Sequence, residues 1–243
     1  MDRKYLAKIT DLRRIDLHSV DSLTRSIRTQ DSFRIESLSL KEVSSPSPSE
    51  DRFENVPCVL IQSTRSTIRS TLIYIKDDGV VKLDNPTWVR EAAYEGLVVL
   101  GLSLPKGEPL AKAVAKSLKG VSYLDLRRDI VDHGEIFFWG KEEPGVWGLI
   151  SAVMDDRVKG VVIEDPPHEL TLESGEAVET AEVCKLLPPK RLVVLGHSGK
   201  SEFFDGVIKA YTEAGRRENL RFEEETGQDV MKKIINWVLG RKC

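Results

Sequence analysis

The sequence has 243 residues, of which 40% are hydrophobic and 31% are charged, and its formal net charge is −3. A chain of this length can form one α/β domain, and its composition is ordinary for a globular protein. The small acidic excess argues against the basic surface that general nucleic-acid binding needs. The sequence has no run of about 18 apolar residues, so we predict no membrane span. Cys58, Cys184 and Cys243 share no metal-ligand spacing and predict no disulfide framework, so we expect a cytoplasmic protein.

The N-terminal part of the chain divides at residue 32. Residues 1–32 are rich in charge, with Leu and Ile at loosely helical spacing, and they predict a helical segment before a domain at 33–243. The segment FRIESLSL, at 33–40, alternates apolar and polar residues as a half-buried strand does. A Ser/Pro-rich loop separates it from a second strand, PCVLIQS. Because only a loop joins these strands, we expect an antiparallel lead-in to the sheet.

Downstream, short apolar runs alternate with helical patterns. The predicted strands are 72–75, 97–102, 135–140, 158–164, 191–196 and 219–225. The predicted helices are 86–95, 109–118, 121–133, 145–154, 175–187, 202–214 and 228–239. Apolar strands without alternation are buried on both faces, and strands that alternate with helices imply parallel crossovers. The sequence therefore predicts an α/β fold with a mostly parallel central sheet flanked by helices.

Five stretches carry a resemblance to a known family, among them NPTWVREAAYEGLVVLGLSLPKGE, which is similar to the helix and strand that follow the family's oxyanion turn. TLIYIKDDG is similar to a strand and oxyanion turn, and EIFFWGKEEPGVWGLISAVMDDRVKGVVIEDPP to a nucleophile-elbow region. RLVVLGHSGK and NLRFEEETGQDVMKKIINWVLGRK look like the acid-bearing and histidine-bearing ends. In order and spacing the chain resembles the α/β-hydrolase superfamily, in particular its dienelactone hydrolase and acetyl xylan esterase-like branch. The likeness covers about residues 33 to 240 and implies that fold.

The resemblance places the nucleophile elbow at residues 140–144, where the family has Gly-x-Ser-x-Gly. Gly140 keeps the first glycine, Glu142 takes the position of the nucleophile, and Pro144 replaces the second glycine. A proline suits the first turn of the following helix because its missing N–H is no loss there. Negative charge at Glu142 and Glu143 also suits a helix N-terminus. The elbow thus keeps the signals of a helix start without the serine.

The oxyanion turn is altered in the same comparison. The family often has His-Gly-Gly-Gly there, whereas this chain has Lys76, Asp77 and Asp78 before Gly79. Two carboxylates near a developing oxyanion oppose its stabilisation.

The two remaining triad positions are altered as well. The acid turn after strand 191–196 carries His197 and Ser198 in place of an aspartate. Gln228 matches the position of the histidine, and a glutamine cannot accept a proton near neutral pH. A covalent ester on Glu142 would need an imidazole to activate water, and His168 and His197 are the only histidines beyond it.

Altered residues at all four positions predict a catalytically degenerate, non-hydrolytic homologue with a binding or regulatory role and no cofactor. The alternative hypothesis is a carboxylic-ester hydrolase with an unusual active site. A third is a subunit that forms homo-oligomers or pairs with a catalytically competent relative. We expect no nucleic-acid or membrane partner.

A small-molecule ligand in the former cleft would meet residues near the carboxyl ends of the strands, where ligands bind in this sheet type. The candidate binding residues are Lys76, Asp77, Lys141, Glu142, Asp165, His168 and His197. Carboxylates and an imidazole at this edge could also hold a divalent metal, but no ligand spacing supports one and none is expected. The stretch LGHSGKSE is no phosphate loop, since Val194 occupies the position of its first glycine.

Overall fold

The computed structural model describes residues 2–9, 20–42, 55–65, 70–76, 87–127, 129–131, 135–172, 174–197, 202–225 and 227–241. The strands are β1 (Val20–Gln30), β2 (Phe33–Glu42), β3 (Val56–Ser63), β4 (Ser70–Lys76), β5 (Leu97–Ser103), β6 (Glu135–Lys141), β7 (Val158–Glu164), β8 (Glu169–Thr171), β9 (Ala177–Glu179), β10 (Arg191–Leu195) and β11 (Leu220–Glu223). The α-helices are α1 (Arg3–Ile9), α2 (Thr87–Tyr94), α3 (Leu110–Leu126), α4 (Glu143–Met154), α5 (Thr180–Cys184), α6 (Asp205–Glu213) and α7 (Gln228–Val238). Single 3₁₀ turns cover Glu202–Phe204 and Arg217–Asn219.

One nine-stranded sheet carries the fold, in the order β1-β2-β3-β5-β4-β6-β7-β10-β11. Strands β1, β2 and β3 pair antiparallel, and β3 pairs antiparallel with β5. From β5 to β11 all neighbouring strands are parallel. The prediction of a mostly parallel sheet with an antiparallel lead-in is confirmed, because the apolar runs without alternation are indeed strands buried on both faces.

The helices form one layer on each face of the sheet. Apolar side chains of α2 and α7 pack on one face around Trp139, and the rings of Trp88 and Trp139 stack with centroids 4.4 Å apart. Leu6 of α1 and the apolar residues of α3, α4, α5 and α6 cover the opposite face. In the part of the chain that the structure describes, no helix is both long and apolar enough to span a membrane.

The helical prediction for residues 1–32 is wrong over most of the residues that the structure describes there. A helix forms at Arg3–Ile9, but Val20–Gln30 is strand β1, which pairs with β2 inside the main sheet. Leu23 and Ile27 stand four residues apart and imitate a helical stripe, yet their side chains are 49% and 57% exposed. An edge strand with no buried face lacks the period-two pattern that would reveal it. Its pairing shifts register between Thr24 and Ser26, as at a β-bulge.

Two helical predictions further along also need correction. The segments 109–118 and 121–133 are not separate helices, because α3 runs without interruption from Leu110 to Leu126 and ends there. Leu118 and Val121 continue one buried stripe across Gly120. The predicted helix at 175–187 begins as β9, which pairs with β8, and only its middle is helical. Strands of three residues are too short to leave a periodic signal.

Candidate active site

Glu142 stands alone between the end of β6 and the start of α4, and it is exposed. Its backbone has φ 57° and ψ −132°, a conformation that residues other than glycine rarely adopt. Two hydrogen bonds hold it: its N–H donates to the Glu164 carbonyl at 2.7 Å, and its carbonyl accepts from the Gly145 N–H at 3.1 Å. Strain of this kind persists only where the surroundings fix the backbone, and it concentrates at functional sites.

Close contact between β6 and α4 imposes this conformation. A Cβ added to Gly140 would lie 2.5 Å from the Gly145 backbone nitrogen, and one added to Gly145 would lie 2.6 Å from the Gly140 carbonyl oxygen. Strand and helix therefore meet backbone to backbone. Pro144, one residue earlier, lies in the first turn of α4, where its missing N–H costs nothing. The sequence comparison identified Gly140 as the first glycine of the elbow but did not identify Gly145. The position of Gly145 directly after Pro144 could have indicated it.

Backbone hydrogen bonds continue the sheet pairing beyond the ends of neighbouring strands. The Asp165 N–H donates to the Leu195 carbonyl at 3.0 Å, and the Gly196 N–H donates to the Glu223 carbonyl at 2.9 Å. Together with the bond from Glu142 to Glu164, they arrange the residues that follow β6, β7 and β10 in a row along the carboxyl edge of the sheet.

The Asp165 carboxylate joins two of these strand ends. Its Oδ2 lies 3.1 Å from the Lys141 ammonium, which is also 3.5 Å from a carboxylate oxygen of Glu164. The hydrogen bond to Asp165, followed by the charge of Glu164, raises the pKa of Lys141 above its ordinary value. On the other side, the Asp165 side chain occupies the space that a Cβ at Gly196 would need, and the φ of 78° at Gly196 favours glycine. Asp165 itself has φ 47°, a second strained residue at this edge.

Two histidines lie at the same edge. His197 directly follows β10 and is half-buried, whereas His168, in the loop between β7 and β8, is exposed. Their ring centroids are 6.4 Å apart. His168 packs edge-on against Phe203 at 4.3 Å, and His197 against Phe204 at 5.6 Å. Among the hydrogen bonds of the described residues, none joins either imidazole to Glu142.

The other predicted site residues lie apart from this row or outside the described ranges. Lys76 ends β4, is half-buried, and accepts the Leu104 N–H at its carbonyl oxygen. Asp77 and Ser198 lie outside the residues that the structure describes. Gln228 is the first residue of α7 and is exposed. No group of three or more His, Cys, Asp or Glu side chains within the described ranges could hold a metal ion.

A cavity of about 410 Å³ lies between α1, the start of α3 and the β8–β9 turn. It is lined by Tyr5, Lys8, Leu110, Ala111, Leu172, Ser174 and Glu176. None of these residues belongs to the elbow, and Glu142 does not line this cavity.

Solved structures of esterases share this architecture. A methylesterase matches 96% of this chain and 61% of its own, with a TM-score of 0.73 and 14% identity. A glucuronoyl esterase from Teredinibacter turnerae matches 97% of this chain and 83% of its own, with a TM-score of 0.67 and 10% identity. An acetyl xylan esterase from Paenibacillus matches 99% and 93%, with a TM-score of 0.60 and 9% identity. No protein-family model and no curated protein sequence matches the chain.

The chain therefore has the α/β-hydrolase fold, as its sequence resemblance implied. It spans about three-fifths of the length of the methylesterase, and identities this low establish the shared fold alone. The prediction of a non-hydrolytic binding or regulatory protein is contradicted, because solved structures of several esterases match nearly the whole chain. That prediction judged the site by side-chain identity, whereas Glu142 occupies a strained elbow whose backbone geometry is intact.

Proposed function

We propose that this chain is a carboxylic-ester hydrolase of the dienelactone hydrolase and acetyl xylan esterase-like branch, and that Glu142 is central to its active site. One observation carries the proposal: Glu142 has a strained backbone at the turn between β6 and α4, and its side chain is exposed there. Backbone strain costs on the order of 1–3 kcal/mol and tends to be kept where it serves a site. The esterase structures that share the fold support the same class of reaction.

A carboxylate at the elbow suits a reaction in which water attacks the ester directly. Glu142 acts as a general base: it accepts a proton from water while the water oxygen bonds to the carbonyl carbon. The backbone N–H of Glu143 opens α4, where the first N–H groups have no partner within the helix. In this fold the N–H after the nucleophile position is one oxyanion donor, and the dipole of α4 adds positive potential there.

The charges at the edge favour a neutral ester as substrate. Glu142, Glu164 and Asp165 bring three carboxylates to the neighbouring strand ends, and Lys141 is the ammonium that pairs with two of them. An anionic ester would be repelled there, whereas a methyl or acetyl ester would not. Two of the structurally similar proteins are named a methylesterase and an acetyl xylan esterase, which supports small ester groups of this kind as substrates.

We carry the cytoplasmic location as part of this proposal. Cys58 and Cys184 are free, buried thiols, and burial raises the pKa of Cys184 to about 12. Unpaired cysteines are the usual state in a reducing compartment.

The test is a kinetic comparison of the wild-type protein with Glu142→Gln, using p-nitrophenyl acetate as substrate. Removing the general base should lower kcat/KM by about 100-fold or more, because general bases contribute roughly that much. Glu213→Gln is the matched control, since Glu213 is exposed on α6, far along the chain from the elbow, and pairs with Lys209 at 3.8 Å. A wild-type rate equal to the uncatalysed rate, or full activity in Glu142→Gln, would overturn the proposal.

A further inference from the structure

The row of strand ends places an imidazole two strands away from Glu142. Neighbouring strands lie about 4.8 Å apart, so the elbow after β6 and the turn after β10 are separated by roughly 10 Å, with the end of β7 between them. The extended backbone pairing fixes this order: Glu142 is bonded to the end of β7, and Asp165 to the end of β10. This is the separation of the two backbones, and Asp165 lies at the strand end between them.

The Asp165 side chain contacts the strand ends on both sides of it. One carboxylate oxygen pairs with Lys141, the residue before Glu142, and the other packs against Gly196, the residue before His197. Asp165, whose backbone has φ 47°, thus contacts both neighbours through its carboxylate. It therefore braces the two turns that carry Glu142 and His197.

The two imidazoles at this edge differ in their setting. His197 is half-buried, lies edge-on to Phe204, and follows the glycine against which Asp165 packs. His168 is exposed and is carried by the loop to β8. His197 directly follows Gly196, which contacts Asp165 and donates its N–H to the Glu223 carbonyl, whereas the His168 carbonyl accepts the N–H of Thr180, away from the elbow.

We infer that His197 is the general acid that protonates the departing alcohol, and that Asp165 is the residue that positions it. This inference rests on the proposed function and supplies the imidazole from the end of β10 rather than from the loop after β11, where Gln228 lies. As Glu142 takes a proton from water and the water oxygen bonds to the carbonyl carbon, the bond from that carbon to the alkoxide oxygen breaks. The imidazolium of His197 gives its proton to the alkoxide. The proton held by Glu142 then returns through solvent to the imidazole, so the products are a carboxylic acid and an alcohol.

Two acetate esters that differ only in their leaving group test this role. Ethyl acetate releases a strongly basic alkoxide that needs a proton, whereas p-nitrophenyl acetate releases a weakly basic phenolate that does not. His197→Ala should lower kcat/KM for ethyl acetate by about 100-fold and leave the p-nitrophenyl acetate rate nearly unchanged. His168→Ala, the matched control at the same edge, should leave the ratio of the two rates at its wild-type value.

The outcomes separate this inference from the proposed function. If the wild-type protein hydrolyses p-nitrophenyl acetate and Glu142→Gln does not, the proposed function stands. Equal losses for both esters in His197→Ala, or no loss for either, would then overturn the role of His197 alone. A wild-type protein that hydrolyses neither ester overturns both. Should the alanine variant fail to fold, as judged by circular dichroism, His197→Gln provides the same comparison.

Discussion

Positive φ angles occur in two regions of this protein for different physical reasons. Asp31 and Ser32, with φ 51° and 80°, form the two-residue turn between β1 and β2. Two-residue hairpins of the favoured type require positive φ at both positions, so the turn accounts for them. Glu142 and Asp165 follow parallel strands, where no hairpin makes this demand. Positive φ therefore marks a hairpin turn at the edge of the sheet and, at its carboxyl end, two residues of the proposed site.

We expect the largest effect from a substitution that disrupts the close contact between Gly140 and Gly145 at the elbow. Gly145→Ala would place a Cβ 2.6 Å from the Gly140 carbonyl oxygen, and neither the strand nor the helix can easily move away. We expect a loss of about 3 kcal/mol in the free energy of unfolding, measured by urea denaturation. Gly227→Ala is the control, since its Cβ would meet no atom within 4 Å. Equal stabilities of the two variants would contradict the close contact.

Glycine substitutions at Glu142 and at Ser32 allow the backbone strain of the elbow to be compared with that of the hairpin, and we expect smaller effects from them. Glu142→Gly should raise the free energy of unfolding by about 1 kcal/mol, because glycine adopts positive φ without steric cost. Ser32→Gly in the hairpin should raise it too, by about 0.5 kcal/mol. Only Glu142→Gly should abolish ester hydrolysis. Thermal unfolding followed by circular dichroism measures the first pair of values, and loss of stability in Glu142→Gly would show that the elbow is unstrained.

The smallest expected effect concerns the brace between the strand ends. Asp165→Asn removes the charge that pairs with Lys141, whose side chain is half exposed, so unfolding should become easier by less than about 1 kcal/mol. Its effect on ethyl acetate hydrolysis should exceed its effect on p-nitrophenyl acetate hydrolysis, because the variant disturbs the position of His197. Equal rate losses for the two esters would indicate that Asp165 has only a structural role.

The sequence predicted most of the sheet because its central strands are continuous runs of Val, Ile and Leu. It failed for β1, where Leu23 and Ile27 are exposed and no buried face marks the strand. Strands β8 and β9 leave no periodic pattern for a different reason, because three residues are too few to show a period.

The candidate site was predictable in position but not in arrangement. Gly140 and Glu142 could be recognised at the elbow, but the strain on Glu142 arises from a contact with Gly145 that only three-dimensional packing reveals. The brace from Lys141 through Asp165 to Gly196 joins three strands that are distant in sequence and adjacent only in the sheet order. The prediction of a non-hydrolytic protein was drawn from side-chain identities alone and took no account of this backbone geometry.

The irregular pairing of β1 also limits how far the sheet can grow. Among the residues that the structure describes, the eleven-residue strand β1 is the outermost strand at its end of the sheet. The register shift between Thr24 and Ser26 interrupts the regular spacing of its N–H and carbonyl groups, and Arg25 and Arg28 add charge beside it. Bulges and charges of this kind discourage a second chain from joining the edge. We therefore expect an irregular outer strand to act as a terminus that keeps neighbouring molecules from stacking into a continuous fibre.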